Sequence, residues 1–130
     1  MAKLKAAELF QSGTSCAYCR NIDDIEKISA KTVAEAANLG DETAKEVYRI
    51  SGEYLGRGLS IVIDLLNPEV IVIGSIFARS EALLRPSMEA AIKREALVQS
   101  ARVCKIVPAK LGEDIGDYAA LSVAVNGALK

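Results

Sequence analysis

Aromatic residues are scarce in this sequence. It has no tryptophan, two phenylalanines and four tyrosines among 130 residues. We therefore expect a core built mainly from alanine, valine, isoleucine and leucine. About half of the residues are apolar, as in ordinary globular proteins, and the chain is long enough for one domain with a hydrophobic core.

Charge of one sign and long apolar runs are also missing. The chain carries 16 lysines and arginines against 17 acidic residues, and no basic block is interleaved with aromatics, so we expect no direct nucleic-acid contact. The strongest apolar run, residues 59–66, contains Asp64 and ends before Pro68, which is too short for a membrane span. The N-terminus has no signal-peptide pattern. We expect a cytoplasmic protein that does not contact membranes.

The cysteines are few and odd in number. Three cysteines fit reduced thiols better than a disulfide framework. Cys16 and Cys19 form a C-x-x-C pair, which could be a metal or redox site. Structural zinc needs four ligands, however, and no others are near in sequence, so plain free thiols are favoured. Cys104 falls in a predicted buried strand.

Hydrophobic periodicity predicts an α/β chain that is rich in helix, in the order α-α-α-β-α-β-α. Helices are predicted at residues 3–11, 30–39, 42–66, 80–97 and 114–129, and strands at 69–74 and 102–108. Residues 16–27 are predicted to form an irregular connector. Ser29 and Asp41 are expected to cap the helices that follow them, Gly40 to end the second helix, and Asn67 with Pro68 to end the third.

The third predicted helix contains Gly52, Gly56 and Gly58. Each costs about 1 kcal/mol relative to alanine inside a helix, so a compensating benefit is expected. Two benefits are considered: close packing against a neighbouring element, or a contact between subunits.

The segment EVIVIG, residues 69–74, is a continuous apolar run, which is typical of a strand covered on both faces. The strand, helix, strand order favours a right-handed parallel crossover. Two strands make a poor sheet alone. We therefore expect the sheet to be completed by a missing domain or by a second copy of the chain.

Three segments carry a family resemblance: AANLGDETAKEVY, GEYLGRGLSIVIDLLNPEVIVIGS and PAKLGEDIGDYAALSVA. In this order and spacing they resemble the C-terminal portion of the ROK family of bacterial sugar kinases and sugar-responsive repressors. The resemblance defines residues 29–130 as a family-like core in a single domain. It leaves residues 1–28 as a loosely packed helix and connector.

The resemblance implies a fragment of an RNase H-like domain in the actin/hexokinase-like architecture, in which two domains close over ATP and sugar. It implies ATP and Mg²⁺ as cofactors of the intact protein. A Gly-Gly turn of the family lies against adenosine, which implicates Gly74, Ser75, Ile76 and Phe77 in cofactor binding. Ser75 stands where the second glycine is usual, and Ala119 stands where the last helix commonly has glycine.

Several family segments are not in this sequence. These are the phosphate-binding Asp-x-Gly-x-Thr, the Asn-Asp segment with the catalytic base, the sugar-binding Glu-x-Gly-His and a cysteine-rich zinc segment; the chain has no histidine at all. We therefore expect no catalytic residues and no activity from this chain alone. The first hypothesis is the C-terminal domain of a sugar kinase for a hexose or N-acetyl-hexosamine, which supplies the adenosine side of the cleft and oligomer contacts. The alternatives are the same domain of a sugar-responsive regulator, or an interaction module that associates through its sheet edge.

Other polar residues allow a functional and a structural interpretation. Arg79 and Arg85 could contact phosphate or lie on the surface, and Asp64 could form a local cap or shape a site. Three acidic residues near the last helix are expected to be solvent-facing: Glu113, Asp114 and Asp117.

Overall fold

The computed structural model describes residues 1–110 and 114–128. In chain order the elements are α1 (Ala2–Gln11), a 3-10 helix (Ile22–Lys27), α2 (Ala30–Asn38), α3 (Glu42–Leu66), β1 (Val70–Ile73), α4 (Ile76–Glu95), α5 (Val98–Val103), β2 (Lys105–Pro108) and α6 (Ile115–Ala128). This is the predicted helix-rich α/β class with a small parallel sheet.

The long helix α3 packs along α4, and two glycines make the close approach possible. A Cβ atom on Gly52 would lie 2.5 Å from the carbonyl oxygen of Leu84, and one on Gly56 would lie 2.3 Å from that of Met88. Gly58, in contrast, faces open space. Close packing therefore explains Gly52 and Gly56, and it does not explain Gly58.

The main core lies where α2, α3 and α4 meet. Its largest fully buried side chains are Ile63 and Met88, and its buried aromatic members are Tyr48 and Phe77. The other members are small or aliphatic, as the composition predicts. Two helices contribute most of this apolar surface, so burial along α3 and α4 supplies most of the hydrophobic stabilisation.

The sheet is a parallel pair in which Val70 lies opposite Lys105 and Ile73 lies opposite Pro108. Ile71 and Ile73 pack against the helical core, whereas Val70 and Val72 are 50% and 61% exposed. The expectation of a strand covered on both faces is therefore wrong for this structure. An apolar run shows that both faces of a strand could be buried. Among the described residues, however, helices cover only one face of this strand.

Helix boundaries follow the predicted capping residues. The hydroxyl of Ser29 accepts a hydrogen bond from the backbone N–H of Thr32, and Asp41 Oδ1 accepts one from Ala44 N–H at 2.7 Å. Gly40 has a φ of 100° and Asn67 a φ of 43°. Both are left-handed backbone conformations that end a helix.

Two boundaries differ from the prediction. Helix α4 begins at Ile76, four residues earlier than expected. Ser80, where the helix was expected to begin, is instead a kink inside it, with φ −124° and ψ 27°. Arg102 was expected to begin a strand, but it lies in the short helix α5, and β2 begins at Lys105. Six residues of mixed polarity are too few for periodicity to separate a short helix from a strand.

Residues 1–28 form a second, smaller cluster. Ala6, Cys16 and Cys19 are buried there, and the side chains of Leu9 and Ile25 pack against them. The predicted connector contains the 3-10 helix and the tight turn from Cys16 to Cys19.

Helix α6 is apolar and exposed. The exposed fractions of Leu121 and Val123 are 64% and 71%. The acidic residue Glu113 lies outside the described residues. Among the helices that are described, none combines the length and the apolar character needed to cross a bilayer.

Candidate functional site at the strand-to-helix turn

The turn from β1 to α4 has an unusual backbone. Ser75, which precedes the first residue of α4, has φ 55° and ψ −128°, a conformation that glycine adopts readily and other residues rarely do. Gly74 has no left-handed φ, and a Cβ atom on it would lie 3.7 Å from the Cβ of Ala109, an ordinary contact. The position whose backbone favours glycine is therefore occupied by serine.

A pocket of about 590 Å³ lies beside this turn, between α2 and the first turn of α4. Ser75, Ile76, Arg79 and Ser80 line one side, and residues from Ser29 to Asn38 line the other. Its size is within the range of small-molecule sites. The pocket arises because α2 and α4 both pack on α3, which leaves a cleft between α2 and the first turn of α4.

A buried hydrogen-bond network holds the two walls together. Tyr48 on α3 donates its hydroxyl proton to the carbonyl oxygen of Ala30 at 2.9 Å, and its hydroxyl lies 3.2 Å from the hydroxyl of Ser80. Tyr48 and Ser80 are both buried. The network therefore joins α2, α3 and α4 at the kink of α4.

The pocket carries charges of both signs. Lys31 and Arg79 line it together with Glu35. The hydroxyl of Ser75 makes no capping hydrogen bond to the first turn of α4, so the N–H groups of that turn keep the partial positive charge of a helix N-terminus. An anionic or strongly polar group is the chemistry that such a wall would accept.

The predicted cofactor-binding residues separate into two groups. Ser75 and Ile76 line the pocket, and Gly74 lies in the turn that follows β1, next to Ala109. Phe77 is 3% exposed in the core, with the guanidinium of Arg85 5.7 Å from its ring centre. Nucleotide contact at these residues stays a prediction.

Two other candidates have structural partners. Arg85 donates hydrogen bonds to Glu81, Glu89 and the carbonyl oxygen of Ile106, and the bonds to Glu89 and then Glu81 raise the pKa of its guanidinium. Asp64 accepts a hydrogen bond from the backbone N–H of Leu97 at 2.8 Å, which ties α3 to the start of α5.

The cysteines are free thiols in this structure. Cys16 and Cys19 are buried, and burial, followed by the nearby Cys16 and Asp24, raises the pKa of the Cys19 thiol. Among residues 1–110 and 114–128, no three histidine, cysteine or acidic side chains come together as a metal site. The raised pKa of the Cys19 thiol makes Cys19 a poor nucleophile at neutral pH.

The α2 wall and Tyr48 were not predicted to belong to a site. Their only sequence signal is the capping pattern at Ser29, which predicts the helix and says nothing about the cleft. Tyr48 fits the apolar stripe of α3, so its hydroxyl role becomes visible only when three helices are assembled.

Comparison with known proteins connects this arrangement to a family. The chain is 37% identical over 73 residues to the DNA-binding transcriptional dual regulator NagC of Escherichia coli K12, a match over 56% of this chain and 18% of that relative. The chain thus spans less than a fifth of that relative's length.

Two solved structures have a similar fold. A ROK family transcriptional regulator described as a homologue of the E. coli Mlc protein matches with a TM-score of 0.68 and 31% identity, over 82% of this chain and 26% of that one. A putative sugar kinase from Cytophaga hutchinsonii matches with a TM-score of 0.61 and 22% identity, over 67% and 29%. The sequence profile of the ROK family matches residues 5–126, and the chain therefore belongs to the ROK family.

Proposed function

We propose that this chain is the C-terminal part of a sugar-responsive transcriptional regulator of the ROK family. The similarity to NagC, a DNA-binding regulator, supports this proposal. So does the regulator structure, which is 31% identical over 82% of the chain, whereas the similarity to the kinase structure is limited to the fold.

The conformation of Ser75 is the observation that supports the regulator over the kinase in this proposal. The family resemblance implies that a kinase places a Gly-Gly turn against adenosine. Here the second position has φ 55° and bears a side chain that lines the pocket. A glycine pair lets a base or ribose approach the backbone closely, whereas Ser75 adds a Cβ and a hydroxyl at the second position. The turn therefore fits adenosine less well than a glycine pair would.

In this proposal the chain completes an α/β domain whose remainder precedes it in a longer protein. The exposed face of the sheet, at Val70, Val72 and Val107, would be covered by that remainder. The sugar-binding and DNA-binding segments would come from the same part. A second copy of the chain is the other partner that could cover this face.

A sugar kinase is the second candidate, and the pocket itself favours it. A cleft of about 590 Å³ at the N-terminus of a 20-residue helix suits an anionic ligand. In an intact kinase, adenosine would lie against Ser75 and Ile76, and ATP with Mg²⁺ would supply the phosphoryl group. No carboxylate cluster for Mg²⁺ is present in the described part of the chain, so the metal would need ligands from elsewhere.

Assays of the intact protein that contains this chain distinguish the two functions. We expect it to bind operator DNA and to release it when its sugar is added, with no sugar phosphate formed from ATP. Phosphorylation of a hexose or N-acetyl-hexosamine by the intact protein would overturn the proposal. On the chain alone, calorimetry with millimolar ATP is expected to give no saturable heat, and saturable heat would favour the kinase.

A further inference from the structure

A second cavity, of about 540 Å³, lies between α4, α5 and β2. It shares no lining residue with the pocket at the strand-to-helix turn. Neither the family resemblance nor the proposed function assigns it a role.

The floor of this cavity is apolar. Ile92 is buried, and Ala101, Cys104 and Ile106 are half-buried around it. These side chains offer no strong hydrogen-bond donors or acceptors. A ligand rich in hydroxyl groups would lose its bonds to water here without replacing them, which is unfavourable. The floor therefore suits a hydrocarbon body.

The rim carries three cations and one carboxylate, Arg85, Lys93, Arg102 and Glu89, and the cations differ in how they are compensated. Arg85 is held by Glu81 and Glu89, with Nη1 2.7 Å from the carboxylate of Glu89. Lys93 and Arg102 are exposed, and within residues 1–110 and 114–128 neither forms an ion pair. Two uncompensated positive charges thus border an apolar floor.

We propose that this cavity binds a small amphipathic carboxylate, with its hydrocarbon body on Ile92, Ala101 and Ile106 and its carboxylate at Lys93 and Arg102. The charge complementarity selects an anion, and the apolar floor excludes sugars and inorganic anions as preferred ligands. Arg85 holds the wall in place, because its guanidinium also donates to the carbonyl oxygen of Ile106 at 3.1 Å.

Octanoate is the probe, and Cys104 is an internal reporter because it lines the cavity. The 130-residue chain is titrated with octanoate by calorimetry, and the rate of Cys104 alkylation is followed by peptide mass spectrometry. We expect saturable binding that slows alkylation of Cys104 and leaves Cys16 and Cys19 unchanged. Octanol has the hydrocarbon tail of octanoate without the charge, and acetate has the carboxylate without the long tail. Both are expected to bind at least tenfold more weakly than octanoate.

Variants test the two cations directly. Lys93→Gln combined with Arg102→Gln is expected to weaken octanoate binding about tenfold, since exposed charges make modest contributions. The matched control, Lys110→Gln combined with Arg20→Gln, removes the same charges outside both cavities and is expected to leave binding unchanged. All four positions are exposed, so folding is retained. Equal binding of octanol, equal losses in both double variants, or no protection of Cys104 would each overturn the proposal.

Discussion

Gly56 lies where α3 and α4 cross, and a side chain there would collide with backbone. A Cβ atom would be 2.3 Å from the carbonyl oxygen of Met88 and 2.7 Å from the Cβ of Ala91. We expect Gly56→Ala to lower the free energy of unfolding by about 2 kcal/mol, because overpacking forces the helices apart. Urea denaturation of the variant and the wild type measures this difference in the free energy of unfolding. Gly58→Ala is the control, and since that site is open it should raise stability by about 0.5–1 kcal/mol. A neutral Gly56→Ala would contradict the close crossing.

Ser75 stores backbone strain at the candidate site. Its φ of 55° and ψ of −128° favour glycine, and such conformations cost on the order of 1–3 kcal/mol. We expect Ser75→Gly to raise the free energy of unfolding by about 1 kcal/mol after the greater freedom of glycine in the unfolded chain is subtracted. Ser75→Ala removes the hydroxyl without relieving the strain, so it should leave stability within about 0.5 kcal/mol. Equal stabilities of the glycine and alanine variants would argue against strain.

At the scale of elements, Tyr48 joins three helices through one hydroxyl. We expect Tyr48→Phe to cost about 1–2 kcal/mol, because the carbonyl of Ala30 and the hydroxyl of Ser80 lose a buried partner. Combining it with Ser80→Ala should cost less than the sum of the two single changes, since both partners are then removed. Tyr54→Phe is the control at a side chain that is 63% exposed, and its cost should be near zero. Additive costs in the double variant would show that the two hydroxyls do not interact.

The N-terminal cluster should respond to alkaline pH. Burial raises the pKa of the Cys19 thiol above its ordinary 9.0, and burial also raises the pKa of Tyr18. The folded state therefore holds these protons more tightly than the unfolded state. The resulting stability is fully present below about pH 9 and is lost as pH rises through the folded-state pKa values. Unfolding by urea at a series of pH values should show this decrease, and Cys19→Ala should reduce its slope. A stability that is constant up to about pH 11 would contradict it.

At the scale of the whole molecule, large apolar side chains on two elements have no cover in the described chain. Val70 and Val72 are exposed on the sheet, and Ile61 and Leu65 are exposed near the end of α3, where Leu65 is 78% exposed. We expect the chain alone to associate as concentration rises, because apolar patches of this kind are buried in intact proteins. Val72→Lys should reduce association in sedimentation experiments while leaving the unfolding free energy within about 0.5 kcal/mol. Lys110→Ala, at another exposed site, serves as control, and a strictly monomeric wild-type chain would contradict the prediction.

Local signals in the sequence determined most of the elements of this protein. Capping residues such as Ser29, Asp41 and Asn67 act within a few residues of themselves, so their hydrogen bonds and backbone angles could be predicted. The apolar run of β1 predicted a strand, and the family segments predicted the fold class. Periodicity failed at α5 and at Ser80, where a short helix and a kink depend on what packs beside them.

Tertiary structure decided what each residue does. Gly52, Gly56 and Gly58 are alike in sequence, and only the position of α4 separates the two that pack from the one that is exposed. The pocket at the turn needs α2, which is remote from Ser75 in sequence and meets it only because both elements pack on α3. Side-chain chemistry and helix capping depend on a few neighbouring residues, so the sequence determines them. Close helix packing, clefts and exposed faces depend on contacts between distant segments, so only the tertiary structure decides them.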